Sequence, residues 1–307
     1  MAAPLISISL PCYHQLAYAR RIVETVLAQP VQDFELTLLD DGASDDYRDY
    51  VAALGDPRVR YHRNETRLGA LDNMFAAIAW GTGKYTFAFH EDDLFGTHYI
   101  EAAVDVLERH GRCGFVVGEM NDFVVEPSSD QLATRWDGKS YDEVATPADY
   151  LRSIFRGIEP MFGSVVYRRE ALAGAAPEPE RFATLMDRPF LLRILERWSA
   201  AIVRAPMVWY RRHPDDDGRH RPMTTDHILA LFERYRSAWP RKWSARDAEA
   251  FYGYSEPWLR ELYRLTDRAN RAPFARFVFA AWQRGLARRR LRGHLGLRAL
   301  VSHAFKR

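Results

Sequence analysis

The sequence predicts an α/β fold, in which a mostly parallel, Rossmann-like β-sheet is flanked by helices and followed by a helical C-terminal extension. Short apolar runs alternate with helical patterns over the first hundred residues, as expected for consecutive βαβ units. Acidic pairs follow two of these runs, at Asp40-Asp41 and Asp92-Asp93. From residue 224 onward the pattern is helical and is interrupted by prolines. We therefore expect an α/β domain over residues 1–223 and a helical extension over residues 224–307.

Seven apolar runs are predicted to be strands, and helical patterns separate most of them. In chain order, the predicted strands cover residues 5–10, 34–39, 59–62, 85–89, 115–120, 164–167 and 202–210. Apolar residues at helical spacing predict helices around residues 22–27, 68–80, 97–110, 148–156 and 183–198. Residues 126–147 are rich in Ser, Asp, Pro and Gly, and this composition predicts a long surface loop.

The composition is that of an ordinary globular protein. Of the 307 residues, 47% are hydrophobic and 27% are charged, which excludes collagen-like, disordered and disulfide-scaffold classes. The use of only two cysteines, Cys12 and Cys113, favours a reducing compartment. No run of 18 apolar residues occurs, and the first residues lack the pattern of a signal peptide. We therefore expect a cytoplasmic protein.

The net charge of +2 conceals two regions of opposite charge. Residues 1–110 contain 9 Lys and Arg against 17 Asp and Glu, for a net charge of −8. Residues 241–307 contain 16 basic against 5 acidic residues, for a net charge of +11. The acidic region suggests carboxylates gathered around a metal ion, and the basic region suggests a polyanionic partner.

The first turn excludes two large classes of nucleotide-binding enzyme. It reads Leu10-Pro-Cys-Tyr-His14 without a Gly-rich phosphate loop, and no Walker-type motif occurs in the chain, which excludes dehydrogenases and P-loop NTPases. A bound nucleotide would then need a divalent cation as counter-charge. Asp92-Asp93 offers the oxygen ligands that Mg²⁺ or Mn²⁺ prefers, at the end of a strand where open α/β sheets bind ligands. The alternative for this acidic pair is a solvated turn.

Four segments in a fixed order carry a family resemblance. They are Pro-Cys-Tyr-His after the first strand, Asp-Asp-Gly-Ala-Ser after the second, Asn64 to Asn73 before the fourth, and His-Glu-Asp-Asp after the fourth. This set, which lies within about residues 4–215, resembles the family 2 glycosyltransferases, inverting enzymes with the GT-A fold. The resemblance implies a nucleotide-sugar donor, most often a uridine diphosphate sugar, and a divalent metal ion, Mn²⁺ or Mg²⁺.

The resemblance also implies which residues bind the donor. Asp41 would accept a hydrogen bond from the pyrimidine base, and Asp40 would support it. Arg67 would contact phosphate or base with its fork of donors, the alternative being a surface arginine at the start of a helix. The implied donor-binding positions are Pro11, Tyr13, Asp40, Asp41, Arg67, Gly69, Asp72, Asn73 and Asp92.

The metal ligands follow from the same resemblance. Asp93 is the implied ligand, and Asp92 is implied to bind ribose or metal. The leading Asp of the family's commoner motif is replaced here by His90, which is either a ligand or a packed histidine, and we favour packing. In Tyr-Arg-Arg-His213, the histidine is implied to contact metal or diphosphate, and one of the two arginines to contact phosphate.

Inverting transfer requires a base that takes the proton of the acceptor hydroxyl. In the family this is a carboxylate before a helix in the second half of the domain, and Asp187, which precedes Pro189, matches that position. The alternative is a helix N-cap, because Pro suits the first turn of a helix. We favour the role of base.

The resemblance predicts a hexosyltransferase acting on a cell-surface glycan or a lipid-linked acceptor in polysaccharide biosynthesis. One alternative is a sugar nucleotidyltransferase, which is disfavoured because the first loop lacks the Gly-rich, basic sequence of those enzymes. Another is an inactive glycosyltransferase-like module that binds partners, which is disfavoured because both acidic pairs are intact.

The C-terminal residues 276–307 form a basic tail with nine Lys and Arg and no acidic residue. Apolar residues recur at helical spacing just before this tail and in its first part. This pattern predicts an amphipathic helix able to lie on an anionic membrane surface. The alternative is a packed helix with solvated arginines. Nucleic acid is not the expected partner, because the aromatic residues do not form a stacking platform. We expect a cytoplasmic protein that associates peripherally with the inner face of the membrane.

Overall fold

The computed structural model describes residues 3–42, 44–158, 160–212, 224–239 and 244–265. His213 and the basic tail lie outside these residues, as does the predicted boundary near residue 223, so the boundary stays a prediction. The chain divides into two compact units. The first comprises Met1–Thr146, Glu159–Pro177 and Phe190–His220, and the second comprises Pro147–Ile158, Glu178–Pro189 and Arg221–Arg307.

The first unit contains one mixed sheet, with nine strands among the described residues. The strands are β1 (Ile6–Cys12), β2 (Phe34–Asp40), β3 (Val59–Arg63), β4 (Tyr85–Ala88), β5 (Leu94–Phe95), β6 (Cys113–Phe123), β7 (Tyr141–Val144), β8 (Val165–Arg168) and β9 (Ser199–Arg211). Their order is β3-β2-β1-β4-β8-β6-β9-β5, and β7 pairs with β9. The first four neighbours are all parallel, and β6 is parallel to β9.

Ten α-helices are described. They are α1 (Leu16–Leu27), α2 (Asp46–Leu54), α3 (Ala70–Ala79), α4 (Tyr99–Arg109), α5 (Ser129–Leu132), α6 (Pro147–Ile154), α7 (Pro179–Phe182), α8 (Asp187–Ile194), α9 (Thr225–Ser237) and α10 (Ala245–Leu265). The predicted α/β fold with a helical extension is confirmed. No helix within the described ranges combines the length and the apolar character that a membrane span needs.

Two local predictions are wrong. Residues 126–147 are not an unbroken loop, because Ser128 and Gln131 form a capping box that starts α5 and β7 adds to β9. The helix predicted over residues 183–198 is shorter at both ends, because Ala183 has φ 47°, outside the helical region, and the helix ends at Ile194. The helix that follows is α8, and a 3₁₀ turn precedes it.

An aromatic layer lies under the carboxyl end of β4. Phe87, Phe89 and Phe95 pack with ring centroids 5.0–5.6 Å apart, and Tyr99 packs against Phe87 at 5.7 Å. All four side chains are buried. The Tyr99 hydroxyl donates a hydrogen bond to the Ser164 carbonyl at 2.7 Å. This layer gives the turn after β4 a rigid floor.

In the second unit, Phe155 is the centre of an aromatic cluster. Its ring stacks on Trp239 at 5.6 Å and contacts Phe251 at 5.6 Å. Arg152 places its guanidinium 5.4 Å from the Trp239 ring and pairs with Asp247 at 3.1 Å. These contacts join α6, α9 and α10.

The start of β4 is held against β1 by a buried polar contact. The Ser7 hydroxyl donates to Glu35 at 2.7 Å and accepts the Gly83 N–H at 2.8 Å. A Cβ atom at Gly83 would lie 2.6 Å from the Ser7 nitrogen and 2.9 Å from the Ile6 carbonyl carbon. Because both atoms are backbone, only glycine fits here without moving one strand relative to the other.

We therefore expect Gly83→Ala to destabilise the protein by about 1–3 kcal/mol, the usual cost of overpacking. Gly111→Ala is the matched control, since a Cβ atom there meets nothing within 4 Å, and it should change stability by no more than about 0.5 kcal/mol. Urea unfolding measures both. Equal effects of the two substitutions would contradict the close approach of β1 and residue 83.

Candidate active site

The parallel pairing of β1 with β2 and β4 brings three loops to one edge of the sheet. Cys12 at the end of β1 pairs with Asp40 at the end of β2, and Ser9 of β1 pairs with Ala88 at the end of β4. The acidic segments after β2 and β4 therefore flank the loop that follows β1. This is the edge at which open α/β sheets bind their ligands.

Asp41 is buried and holds the loop that precedes α3. Its Oδ1 accepts hydrogen bonds from the Asn64 side-chain amide at 2.9 Å and the Leu68 N–H at 2.7 Å. Its Oδ2 accepts the Gly69 N–H at 2.7 Å. Gly69 has φ 84°, which glycine adopts without strain. A carboxylate has roughly four acceptor positions, and donors from the described residues fill three of those of Asp41.

Asp40 lies directly beneath this loop and is fully buried. Its carboxylate accepts hydrogen bonds from the Gly42 N–H at 2.8 Å and the Tyr61 hydroxyl at 2.7 Å. Burial, together with the hydrogen bond to Asp40, raises the pKa of Tyr61 to about 12, so the hydroxyl stays a donor at neutral pH. The geometry of Asp40 is that of a residue that supports the turn after β2.

Tyr13 and Arg67 lie together beside the Asp41 loop. The Arg67 guanidinium stacks over the Tyr13 ring at 4.2 Å from its centroid. Arg67 is exposed, and Tyr13 and Pro11 are partly exposed. A planar aromatic group and a cation are thus accessible to a ligand at this edge.

The two other residues that the resemblance implies for binding of the sugar donor differ in their exposure. Asp72 is exposed in the first turn of α3. Asn73 is 2% exposed, and its side chain donates to the Leu39 carbonyl at 3.1 Å and accepts from Asn64 at 3.0 Å. Asn73 therefore orients Asn64, which in turn binds Asp41, and it belongs to the support of the loop.

The turn after β4 brings His90, Asp92 and Asp93 together, with one ligand atom of each within 4.8 Å of the others. His90 Nδ1 lies 3.0 Å from Asp93 Oδ2. Asp93 is buried, and burial raises its pKa against the opposing effect of His90. One imidazole nitrogen and two carboxylates at this spacing form a donor set that fits a divalent cation.

The preference for His90 as a packed histidine is not supported. Its side chain is 30% exposed and turned toward Asp93. A Cβ atom at Gly163 would lie 3.3 Å from His90 Nδ1 and 3.5 Å from Asp93 Oδ2. The backbone at Gly163 therefore closes one side of the group, and His90 is part of it.

Arg211 supports the same turn from β9. Its guanidinium lies between the rings of Tyr18 and Phe123, 4.3 and 4.6 Å from their centroids. Its Nε donates to the Asp92 carbonyl at 2.8 Å, and its backbone N–H donates to Asp93 Oδ1 at 3.0 Å. Arg211 thus holds the acidic turn in place, and the predicted arginine contact to phosphate stays a prediction.

Glu91 and Tyr47 are buried residues of the site that the sequence does not single out. Glu91 Oε1 accepts the Tyr13 N–H at 3.0 Å, and its Oε2 accepts the Tyr47 hydroxyl at 2.6 Å. The Tyr47 oxygen in turn accepts the N–H groups of Gln15 at 2.8 Å and His14 at 3.3 Å. Burial raises the pKa of Glu91 to about 7. The one signal in the sequence is the position of Glu91 directly before an acidic pair.

Asp187 is the first residue of α8 and lies in the second unit. It is 8% exposed, and its Oδ1 accepts the Arg188 N–H at 2.8 Å. His213 lies outside the described residues. The predicted roles of these two residues, base and metal contact, stay predictions.

Known proteins with similar sequences identify the family. Glycosyl transferase family 2 matches residues 7–172, more than half of the chain. A putative colanic acid biosynthesis glycosyl transferase of Escherichia coli K12, WcaA, is 34% identical over 92 residues, which are 29% of this chain and 33% of that protein. An uncharacterized glycosyltransferase of Nostoc, alr2836, is 25% identical over 223 residues, which are 68% of this chain and 65% of that protein.

Solved structures share the fold. S. aureus TarS 1–349 in complex with UDP-GlcNAc aligns with a TM-score of 0.62 at 11% identity, over 89% of this chain and 79% of that one. The mannosyltransferase PcManGT from Pyrobaculum calidifontis, in complex with GDP-Man and Mn²⁺, aligns with a TM-score of 0.52 at 14% identity, over 100% and 87%. With the family match and the motif order, these similarities show that the chain belongs to glycosyl transferase family 2 and is a glycosyltransferase with the GT-A fold.

Proposed function

We propose that this glycosyltransferase moves a sugar from a uridine diphosphate sugar to a hydroxyl group of a glycan or lipid-linked acceptor, with a divalent cation and with inversion at the anomeric carbon. The observation that carries the proposal is the meeting of two carboxylate clusters, around Asp41 and Asp93, at one edge of the sheet. The complexes of TarS with UDP-GlcNAc and with UDP support the choice of nucleotide.

The nucleoside is proposed to bind at Tyr13, Arg67 and Asp41. A fourth acceptor position on Asp41 would suit the N–H of a pyrimidine base. The Tyr13 ring can stack on a base, and Arg67 can move from that ring to a phosphate. With the nucleoside bound in this way, the diphosphate would extend toward the turn after β4.

A divalent cation would be held by His90, Asp92 and Asp93, and when bound it supplies positive charge next to the diphosphate. An imidazole nitrogen suits a first-row transition ion better than Mg²⁺, which prefers oxygen ligands. His90 therefore favours Mn²⁺ in this proposal. The Mn²⁺ in the PcManGT complex is consistent with that choice.

The proposed transfer is a single displacement. The acceptor oxygen forms a bond to the anomeric carbon while the bond from that carbon to the β-phosphate oxygen breaks, and the bonding pair leaves with the diphosphate. The proton of the acceptor hydroxyl passes to the carboxylate of Asp187, an assignment that rests on the sequence resemblance. Attack opposite the leaving group inverts the configuration.

We further propose that the enzyme works at the cytoplasmic face of the membrane in polysaccharide biosynthesis. The nine Lys and Arg of the basic tail, without an acidic residue among them, support attraction to anionic headgroups. A lipid-linked acceptor would be presented at that same surface.

The donor assignment is tested by titrating a panel of nucleotide sugars with and without Mn²⁺, following binding and transfer. We expect a uridine diphosphate sugar to bind in the parent protein. Asp93→Ala should lose at least about tenfold in metal-dependent donor affinity, whereas Asp187→Ala should bind normally but lose about 100-fold or more in transfer rate. Asp49→Ala, at an exposed position of α2, is the control. If the parent protein binds none of the nucleotide sugars, the proposed function is wrong.

The role of His90 is tested by metal affinity rather than activity. His90→Asp turns the group into three carboxylates, and we expect the ratio of Mn²⁺ to Mg²⁺ affinity to fall about tenfold. Electron paramagnetic resonance of free Mn²⁺, with Mg²⁺ as competitor, measures this ratio. His227→Asp on α9 is the matched control. An unchanged ratio in His90→Asp would show that His90 is not a ligand.

The membrane proposal is tested by sedimentation with vesicles that contain phosphatidylglycerol. The full chain should sediment at low salt, and a variant lacking residues 274–307 should remain in the supernatant. Vesicles of phosphatidylcholine alone provide the uncharged control. Equal sedimentation of the two proteins would show that the basic tail does not bind the membrane.

A further inference from the structure

One buried carboxylate joins the loop proposed to bind the nucleoside to the turn proposed to bind the metal ion. Glu91 is 9% exposed and directly precedes Asp92-Asp93. Its Oε1 accepts the backbone N–H of Tyr13 at 3.0 Å. The residue that follows β1 and the acidic turn that follows β4 therefore share a hydrogen bond across 78 positions of sequence.

Tyr47 of α2 completes this link. Its side chain is 2% exposed, and its hydroxyl donates to Glu91 Oε2 at 2.6 Å. The same oxygen accepts the N–H groups of His14 at 3.3 Å and Gln15 at 2.8 Å. The loop after β1, the turn after β4 and helix α2 thus meet at a single phenol group.

The loop that these bonds hold is strained. His14 has φ 128°, a region that residues other than glycine rarely adopt, and such strain costs about 1–3 kcal/mol. A residue stays in that region only when its surroundings fix it. The hydrogen bonds from Tyr13, His14 and Gln15 to Glu91 and Tyr47 supply that constraint.

We propose that Tyr47 and Glu91 are positioning residues that set the distance between Tyr13 and the carboxylates of Asp92 and Asp93. A nucleoside diphosphate has a fixed reach, so a ligand that engages both ends gains affinity only if the two ends are correctly spaced. This inference rests on the proposed function, since it takes Tyr13 as a nucleoside contact and the acidic turn as the metal site.

The proposal predicts a specific pattern of binding in Tyr47→Phe. The affinity for UDP in the presence of Mn²⁺ should fall about tenfold, because the substitution removes the three hydrogen bonds of the Tyr47 hydroxyl that hold the loop after β1 to the acidic turn. The affinities for Mn²⁺ alone and for uridine alone should change less than about twofold, because each engages only one end. Calorimetry measures UDP and uridine, and electron paramagnetic resonance measures Mn²⁺. Guanosine and GDP are tested in parallel.

Two further variants make the result interpretable. Tyr50→Phe removes a hydroxyl from the same helix outside this network and should bind like the parent protein. Glu91→Gln keeps an oxygen for the Tyr13 N–H but loses the acceptor of the Tyr47 hydroxyl. It should lose more affinity for UDP with Mn²⁺ than it loses for Mn²⁺ alone, which tests the link if Tyr47→Phe does not fold.

Different results would contradict the positioning role and the proposed function. If Tyr47→Phe weakens uridine and UDP equally, or binds UDP with Mn²⁺ as tightly as the parent protein, the positioning role is wrong. If the parent protein binds neither UDP nor GDP with Mn²⁺, it is the proposed function that fails.

Discussion

The site depends on carboxylates that are buried at the ends of adjacent parallel strands. A buried carboxylate is costly unless hydrogen bonds satisfy it. Asp40, Asp41, Glu91 and Asp93 are each at most 9% exposed, and each accepts a hydrogen bond from a backbone N–H group. The chain can satisfy these groups only by folding its loops onto them, so the shape of the site follows from that requirement.

The supports of the acidic turn come from distant parts of the chain. The aromatic layer of Phe87, Phe89 and Phe95 lies beneath it, and Arg211 reaches it from β9 between two aromatic rings. A turn held on several sides can present carboxylates without rearranging when a cation arrives, which is the condition for a preorganised site. The overall composition of the chain is average and does not reveal this local concentration of carboxylates.

Much of the fold could be predicted from the sequence because its signals are local. The acidic pairs come directly after the runs that form β2 and β4. Their placement at one edge therefore follows from the parallel pairing of both strands with β1. The antiparallel entry of β8 between β4 and β6 has no such signal. The contacts of Glu91 with Tyr47 and Tyr13 span 44 and 78 positions, so only the tertiary structure reveals them.

In the proposed complex, a nucleoside diphosphate and a cation bind together between the two carboxylate clusters. Amide NMR spectra of the ¹⁵N-labelled protein test it most directly, with UDP and Mn²⁺ added separately and then together. We expect UDP to shift the amides of Tyr13, Leu68 and Gly69, and Mn²⁺ to broaden those of Asp92, Asp93 and Arg211. Shifts and broadening centred elsewhere in the protein would contradict it.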